Sequence, residues 1–101
     1  MAVYPPNTTE PVYATFSKAG VAWTPNQVTI TVTDPTMVVT VKHKGDSGVY
    51  NHANGVFYFD LAMTLVGDYV VDWVGTGTFV DTAGDTRPYS QASQQILRCR
   101  T

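Results

Sequence analysis

The sequence predicts a single all-β domain, built as an antiparallel sandwich of about seven strands. The chain has 101 residues, which is enough for one hydrophobic core and too few for two. Several segments alternate apolar and polar residues with the two-residue period of a half-buried strand, and turn residues separate these segments. The middle of the chain has no helical period, so we expect no crossover helices and therefore no parallel α/β sheet.

The segment 27–33, Gln-Val-Thr-Ile-Thr-Val-Thr, is the clearest predicted strand. Its β-branched apolar residues alternate with polar residues, so one face is expected to be buried and the other solvated. The Asp-Pro pair at 34–35 ends this strand, because proline has no N–H to donate to a neighbouring strand. A returning strand is then expected to place Met37, Val39 and Val41 on one shared inner face.

Three other segments show the same alternation and supply most of the predicted core. We expect Trp73 to anchor this core, since a large aromatic ring buries a large apolar surface. The Gly-Thr-Gly sequence at 75–77 predicts a bend or bulge, followed by a short strand at 78–80. The residues expected to face inward are Val12, Ala14 and Phe16, then Phe57, Phe59 and Leu61, and finally Tyr69, Val71 and Trp73.

The C-terminal segment, residues 91–98, admits two interpretations. As a closing strand it would place Ala92 and Ile96 in the core. The run from Gln94 to Leu97 is also compatible with the start of a helix, so strand and helix both remain open at this point.

The predicted organisation is an extended N-terminal arm at 1–11, a β-sandwich domain at 12–98 and a tail at 99–101. Three prolines and intervening polar residues make the arm a poor helix and a poor partner in a sheet. We expect the arm and residues 87–101 to become ordered on contact with a partner. The candidate contact residues are Tyr4, Pro5, Pro6, Tyr89, Ile96 and Arg98.

The composition argues against nucleic-acid and membrane partners. Charged residues make up 14% of the chain and the formal charge is −2, so no basic field is expected to attract nucleic acid specifically. The apolar runs are too short for a membrane span, and the first residues do not resemble a signal peptide. Cys99 is the only cysteine, which excludes an intrachain disulfide and fits a reducing cytoplasm; we interpret it as an incidental terminal residue.

The residue types needed for catalysis do not occur in a recognisable pattern. His43, Asp46 and His52 are the nearest approach to a three-ligand metal site, and their spacing matches no zinc pattern. Asp60 and Asp72 would resemble an acid–base pair only if their strands were neighbours. No serine lies in the Gly-x-Ser-x-Gly pattern of a nucleophile. We therefore expect no enzyme activity, no cofactor and no bound metal.

The chain has more tyrosines than one small core accommodates, and exposed tyrosines predict a binding surface. A row of exposed rings on one face would suit either a partner protein or a sugar, so a carbohydrate-binding or adhesion module is an alternative function. The tyrosines in question are Tyr4, Tyr13, Tyr50, Tyr58 and Tyr89.

The segment 65–71, Leu-Val-Gly-Asp-Tyr-Val-Val, resembles the Gly-x-Tyr step that opens the sixth strand of many immunoglobulin-like domains. In those domains the tyrosine hydroxyl bonds to the backbone of the preceding corner. The resemblance implies an immunoglobulin-like sandwich in which Gly67 and Tyr69 form this corner and Trp73 follows in the core. The paired cysteines of antibody domains are missing, so the chain resembles the wider class of sandwiches.

A second resemblance, to small virion proteins of tailed bacteriophages, covers most of the chain. Proteins encoded among the head and head-to-tail joining genes often have the same motifs in the same order. These are a Thr-Pro loop, a Val-Thr-Ile-Thr-Val strand, an Asp-Pro turn, a Gly-Val-Phe-Tyr strand and Gly-x-Tyr-x-x-x-Trp-x-Gly-Thr-Gly. In this chain the motifs lie at 24–25, 28–32, 34–35, 55–58 and 67–77. The C-terminal segment 87–101 does not match these motifs.

This resemblance implies a noncatalytic structural subunit of the virion, made in the host cytoplasm. Its expected place is the head-to-tail joining region, as a stopper or connector, and a capsid decoration protein is the alternative within the same class. The implied partners are portal or adaptor, capsid or tail subunits, together with further copies of the chain in a homo-oligomer.

Overall fold

A computed structural model describes residues 3–101 of the chain as ten strands without a helix. Seven strands have five or more residues and three have two. This part of the chain therefore contains no helix that is long and apolar enough to cross a bilayer. In chain order the strands are β1 (Val3–Tyr4), β2 (Thr8–Thr15), β3 (Ser17–Lys18), β4 (Val21–Ala22), β5 (Gln27–Thr33), β6 (Val39–His43), β7 (Val49–Ala53), β8 (Val56–Met63), β9 (Gly67–Val80) and β10 (Thr86–Cys99).

The strands form two main sheets and one small hairpin. One sheet has five strands in the order β1-β10-β9-β5-β6, the other has three in the order β2-β8-β7, and β3 pairs with β4. Neighbouring strands are antiparallel except β1 and β10, which are parallel. The prediction of an all-β fold is confirmed, whereas the prediction of antiparallel pairing throughout is wrong for β1.

Aromatic side chains fill the space between the two sheets. The ring centroids of Phe59 on β8 and Trp73 on β9 are 5.7 Å apart, in an edge-to-face arrangement. Phe16, which follows β2, contacts both Phe57 and Trp73 with ring centroids 5.9 and 6.4 Å away. The buried apolar residues are Val12, Ala14, Phe16, Trp23, Val28, Ile30, Val32, Phe57, Phe59, Leu61, Met63, Tyr69, Val71, Trp73, Leu97 and Cys99.

The corner before β9 has the hydrogen bonds that the Gly-x-Tyr resemblance implies. The buried hydroxyl oxygen of Tyr69 accepts hydrogen bonds from the backbone N–H groups of Thr64 (3.1 Å) and Leu65 (3.0 Å). Gly67 has a φ of 134°, and a Cβ at this position would lie 2.6 Å from the Cβ of Pro35. The corner therefore needs glycine at 67 for space and tyrosine at 69 for its hydroxyl.

The predicted N-terminal arm, residues 1–11, is extended but belongs to the domain, so the boundary at residue 12 is wrong. Val3 and Tyr4 pair with the last two residues of β10, and residues 8–11 pair with β8. Pro11 is tolerated in β2 because β2 is an edge strand, where one missing N–H need not break a ladder. Residues 1 and 2 of the predicted arm lie outside the described residues.

The C-terminal segment is a strand, and its predicted inner face is wrong. Leu97 and Cys99 lie opposite Tyr69 and Gly67 of β9, so they share the inward side with Tyr69 and are buried. Ile96 is consequently exposed on the outer face. Cys99 is a core residue rather than an incidental one, and it ends β10 instead of opening a tail.

The bend predicted at 75–77 is absent, since β9 runs without interruption from Gly67 to Val80. The glycines provide space instead. A Cβ on Gly75 would lie 2.7 Å from the Phe16 ring, so the missing side chain lets Phe16 pack directly on β9.

Replacing Trp73 by alanine tests the predicted core directly. Trp73 is fully buried, so Trp73→Ala should lower the free energy of unfolding by about 3 to 5 kcal/mol through lost contacts and a cavity. Val74→Ala is the matched control, because Val74 is the next residue on β9 and is exposed. Urea unfolding followed by circular dichroism measures both variants. Similar losses from the two substitutions would contradict the assigned strand phase.

Removing the hydroxyl of the corner residue Tyr69 is expected to lower the free energy of unfolding. Tyr69→Phe removes the oxygen that accepts two backbone hydrogen bonds and leaves both N–H groups without their partner. We expect a loss of about 1 to 3 kcal/mol of unfolding free energy in the same assay. Tyr50→Phe is the control, since Tyr50 is exposed on a sheet surface. An unchanged midpoint for Tyr69→Phe would show that the corner contributes nothing to stability.

Candidate protein-interaction surfaces

The β5–β6 hairpin of the five-stranded sheet exposes a run of large apolar side chains. The relative exposures are 77% for Met37, 58% for Val38, 56% for Val39 and 48% for Val41. The prediction that Met37, Val39 and Val41 face the core is therefore wrong.

Strand pairing explains why the phase of β6 differs from the prediction. Lys42 and Thr40 lie opposite Ile30 and Val32, so these polar residues point to the inner side of the sheet. The inner side is not closed, because a cleft of about 320 Å³ lies between β6 and β8. β7 pairs with β8 only as far as Phe59 and leaves the rest of β8 uncovered.

Two neighbouring turns form an apolar end of the molecule, defined by Met37, Val38, Leu65 and Val66. All four side chains are exposed. Met37 and Val66 line one open cleft of about 620 Å³. An exposed apolar patch formed by separate turns is typical of a surface that contacts another protein.

Asp34 holds the first of these turns in place. Its Oδ1 accepts hydrogen bonds from the Thr36 hydroxyl (2.7 Å), the Thr36 N–H (2.8 Å) and the Val38 N–H (3.0 Å). These bonds, led by those of the Thr36 hydroxyl and the Val38 N–H, lower the pKa of Asp34 because they favour the charged carboxylate. The turn therefore presents Met37 and Val38 from a fixed backbone.

Three tyrosines form a row across the outer face of the three-stranded sheet. Tyr13 and Tyr50 both lie opposite Tyr58, so one residue from each strand contributes to the row. The ring centroids of Tyr50 and Tyr58 are 4.9 Å apart, and those of Tyr13 and Tyr58 are 5.1 Å apart. The imidazole of His52 contacts Tyr13 and Tyr58 edge-on, with both centroids 6.1 Å away. We call these four residues the tyrosine row.

The ring geometry limits what the tyrosine row can bind. Two coplanar rings side by side need centroids about 6 Å or more apart, because their carbon atoms cannot approach closer than van der Waals contact. The centroids of Tyr50 and Tyr58 are closer than this and their planes differ by 29°, so the rings cover each other. Tyr58 has Tyr13 near its other side. The row therefore offers ring edges and hydroxyl groups rather than a flat platform for a sugar.

A separate aromatic cluster supports the far part of the β9–β10 hairpin. The Trp23 and Tyr89 ring centroids are 4.7 Å apart, and the Lys18 ammonium lies 4.3 Å from the centroid of Phe79. The Tyr89 hydroxyl donates a hydrogen bond to the Ser17 carbonyl at 3.0 Å. Tyr89, predicted as a partner contact, therefore has a role within the domain.

The other predicted contact residues lie near β1 and the end of β10. Tyr4 is half-buried and packs against the core, while Ile96 is exposed. The Arg98 Nε donates to a carboxylate oxygen of Asp68 at 3.1 Å. Pro5 is exposed and Pro6 is half-buried. Tyr89 lies seven residues before Ile96 on β10, a distance of about 23 Å, so the six predicted residues do not form one surface.

The residues considered for catalysis are not brought together. His43 Nδ1 lies 3.7 Å from a carboxylate oxygen of Asp46, but His52 belongs to the tyrosine row on the other sheet. Asp60 and Asp72 lie on β8 and β9, which belong to different sheets. Among residues 3–101, no group of three His, Cys, Asp or Glu side chains has the arrangement of a metal site.

Sequence reasoning missed the apolar end because it assigned every second apolar residue to the core. The run Met-Val-Val-Thr-Val at 37–41 places apolar residues on both faces of a strand. Such a run fits either a strand covered on both sides or one that contacts a partner. The residue that indicates this is Val38, because it is apolar although the predicted strand places it on the solvent-facing side.

Acid is expected to weaken two turns that aspartates hold. Hydrogen bonds, above all from the Asp85 N–H and then from Arg87, lower the pKa of Asp81, as the turn bonds lower that of Asp34. Both folded pKa values lie below the usual 3.8, so this stabilisation is complete above that pH and is lost as the pH falls through the folded values.

Replacing both carboxylates by amides tests this prediction. In urea titrations between pH 7 and 2, Asp34→Asn with Asp81→Asn should make the unfolding free energy fall less steeply below about pH 4 than in the parent chain. The exposed Asp60→Asn variant is the control. A double variant with the acid dependence of the parent would show that these turns do not contribute to it.

Comparison with protein-family models, with curated proteins and with solved structures found no match for this chain.

Proposed function

We propose that the chain is a noncatalytic structural subunit of a tailed-phage virion that acts through protein–protein contacts. The observation that carries the proposal is the apolar end, where four large side chains are exposed on two adjacent turns. Water-exposed apolar surface of this kind is stabilised when another protein covers it. The resemblance of five collinear motifs to head-to-tail joining proteins favours a place in that region, as a stopper or connector.

The fold proposed within this function is an immunoglobulin-like sandwich. The order β10-β9-β5-β6 corresponds to strands G, F, C and C′ of such domains, and β2-β8-β7 corresponds to B, E and D. The Tyr69 hydroxyl bonds at the start of β9 support the same assignment, because the tyrosine corner belongs to strand F.

The chain also departs from the antibody pattern. The buried Trp73 lies on β9, in the position of strand F, whereas antibody domains carry their core tryptophan on strand C. Cys99 is the only cysteine, so aromatic packing takes the place of a disulfide between the sheets. These departures are compatible with the wider immunoglobulin-like class.

The partners we propose are portal or adaptor, capsid or tail subunits, and other copies of the chain. The same surfaces would serve a capsid decoration protein, which is the alternative role within the virion. A carbohydrate-binding module is less well supported, because Tyr50 and Tyr58 cover each other's ring faces. The protein would be made in the host cytoplasm and act in the virion.

A pull-down with the portal, adaptor, capsid and tail subunits of the encoding phage tests the proposed function. The chain should retain at least one of them. Met37→Asn with Val66→Asn should reduce the retained amount about tenfold, as expected when exposed apolar anchors are lost from an interface. Val21→Asn with Val80→Asn is the matched control, since these valines are exposed on strands away from the apolar end.

A glycan array probed with the same protein separates the two classes of function. The proposal predicts retention of a virion subunit and no glycan signal. Strong glycan binding that Tyr50→Ala abolishes, together with no virion partner, would contradict it and favour the carbohydrate-binding alternative.

A further inference from the structure

The outer edge of β6 has no neighbouring strand. Within residues 3–101, β6 pairs with β5 on one side and with no strand on the other. Its valines Val39 and Val41 are exposed, and Lys42 and His43 are its only basic side chains. An exposed apolar edge without proline is a template for pairing with another strand.

The pairing with β5 fixes which backbone groups of β6 point outward. The Val38 carbonyl accepts from Asp34 N–H at 3.0 Å, and the Lys44 N–H donates to the Val28 carbonyl at 2.9 Å. In antiparallel strands, alternate residues direct their N–H and C=O groups to the same neighbour. Thr40 and Lys42 therefore bond to β5 as Val38 and Lys44 do, and the residues between them point away from the sheet.

Of the outward-pointing residues, His43 already has hydrogen-bond partners within the chain for its backbone N–H and C=O groups. Its N–H donates to a carboxylate oxygen of Asp46 at 2.8 Å, and its carbonyl accepts from the Asp46 N–H at 2.9 Å. Val39 and Val41 are left with their N–H and C=O groups directed to the open edge. These four groups are arranged as one half of an antiparallel ladder.

We propose that β6 pairs with β6 of a second copy of this chain, antiparallel and centred on Thr40. In this register Val39 of each copy exchanges two hydrogen bonds with Val41 of the other, so all four outward groups are satisfied. A register centred on Val41 would instead place Val39 opposite the engaged His43. Pairing through one two-fold axis makes the interface isologous.

The side chains are compatible with this register. Thr40 lies opposite its own copy, and Lys42 lies opposite Val38 of the second copy, so the lysines do not meet. On the other face, Val39 and Val41 of both copies form a continuous strip of four valines that exclude water from one another. The charge pattern of β6 therefore suits a second copy of the same strand.

The other edges carry features that oppose such pairing. β7 has a bulge between Asn51 and Ala53, and β2 contains Pro11. On β10, the Gln91 side chain accepts from the Ser17 N–H and the Gln95 side chain donates to the Tyr13 carbonyl. These contacts tie the edge of β10 to the N-terminal part of the chain, so β6 is the edge best suited to a second copy.

The expected dimer is weak in dilute solution. A pair of five-residue strands buries less than the roughly 800 Å² per partner of a standard stable interface. The pairing would therefore be populated at high protein concentration or where other contacts hold the copies together. It is independent of the proposed virion role and can be tested on the purified full chain.

Disulfide trapping tests both the pairing and its register. In the proposed register the two copies of Thr40 form a non-hydrogen-bonded pair with Cα atoms about 4.5 Å apart, within reach of a disulfide. Thr40→Cys should therefore form a covalent dimer under mild oxidation at least tenfold faster than Lys42→Cys, whose Cα atoms would be about 14 Å apart. The native Cys99 is buried and should not compete.

Adding Val41→Pro to Thr40→Cys should reduce this trapping about tenfold, because proline removes an outward N–H while the bonds to β5 are kept. Val41→Thr retains the N–H and should leave trapping unchanged. Equal trapping at 40 and 42, faster trapping at 42, or trapping that is insensitive to Val41→Pro in a variant with unchanged circular dichroism would overturn the proposal. Absence of any trapping with Thr40→Cys would do the same.

Discussion

The contact of Trp73 with Phe16 and Phe59 joins the two sheets, and the rest of the structure depends on it. The chain has no disulfide to hold the sheets together, so their alignment relies on apolar packing. Trp73 lies on the central part of β9, where its edge-to-face contacts reach Phe59 in the middle of β8 and Phe16 just after the end of β2. The missing side chain at Gly75 lets Phe16 approach the same strand.

The unequal size of the two sheets determines which surfaces are open. Five strands face three, and β7 is too short to cover the inner side of β6. β6 is consequently exposed on both faces and at its outer edge, although it is rich in valine. The turns that carry Met37 and Val66 lie beyond the core at one end, where the packing between the sheets stops. Exposed apolar side chains thus occur where the smaller sheet leaves the larger one uncovered.

The sequence predicts best the features that depend on local order along the chain. Alternation places Tyr69 and Trp73 inward without knowledge of their neighbours, and the Gly-x-Tyr step locates the corner. Where two apolar residues are adjacent, as Ile96 and Leu97 are, alternation does not show which of them faces the core. The register with β9 decides this, because it places Leu97 opposite the buried Tyr69.

Features that depend on distant pairing were missed. β7 has no apolar alternation and is a strand because it pairs with β8. Whether Val39 is buried depends on what covers β6, and the geometry of the tyrosine row depends on distances between rings on three strands. The apolar end likewise needs two turns that are far apart in sequence.

A density map of the assembled phage particle would show whether this domain is a structural subunit of a virion. We expect density for the sandwich at the neck between portal and tail, with the apolar end covered by a neighbouring subunit. A particle complete in its neck, capsid and tail but without this domain would exclude this role.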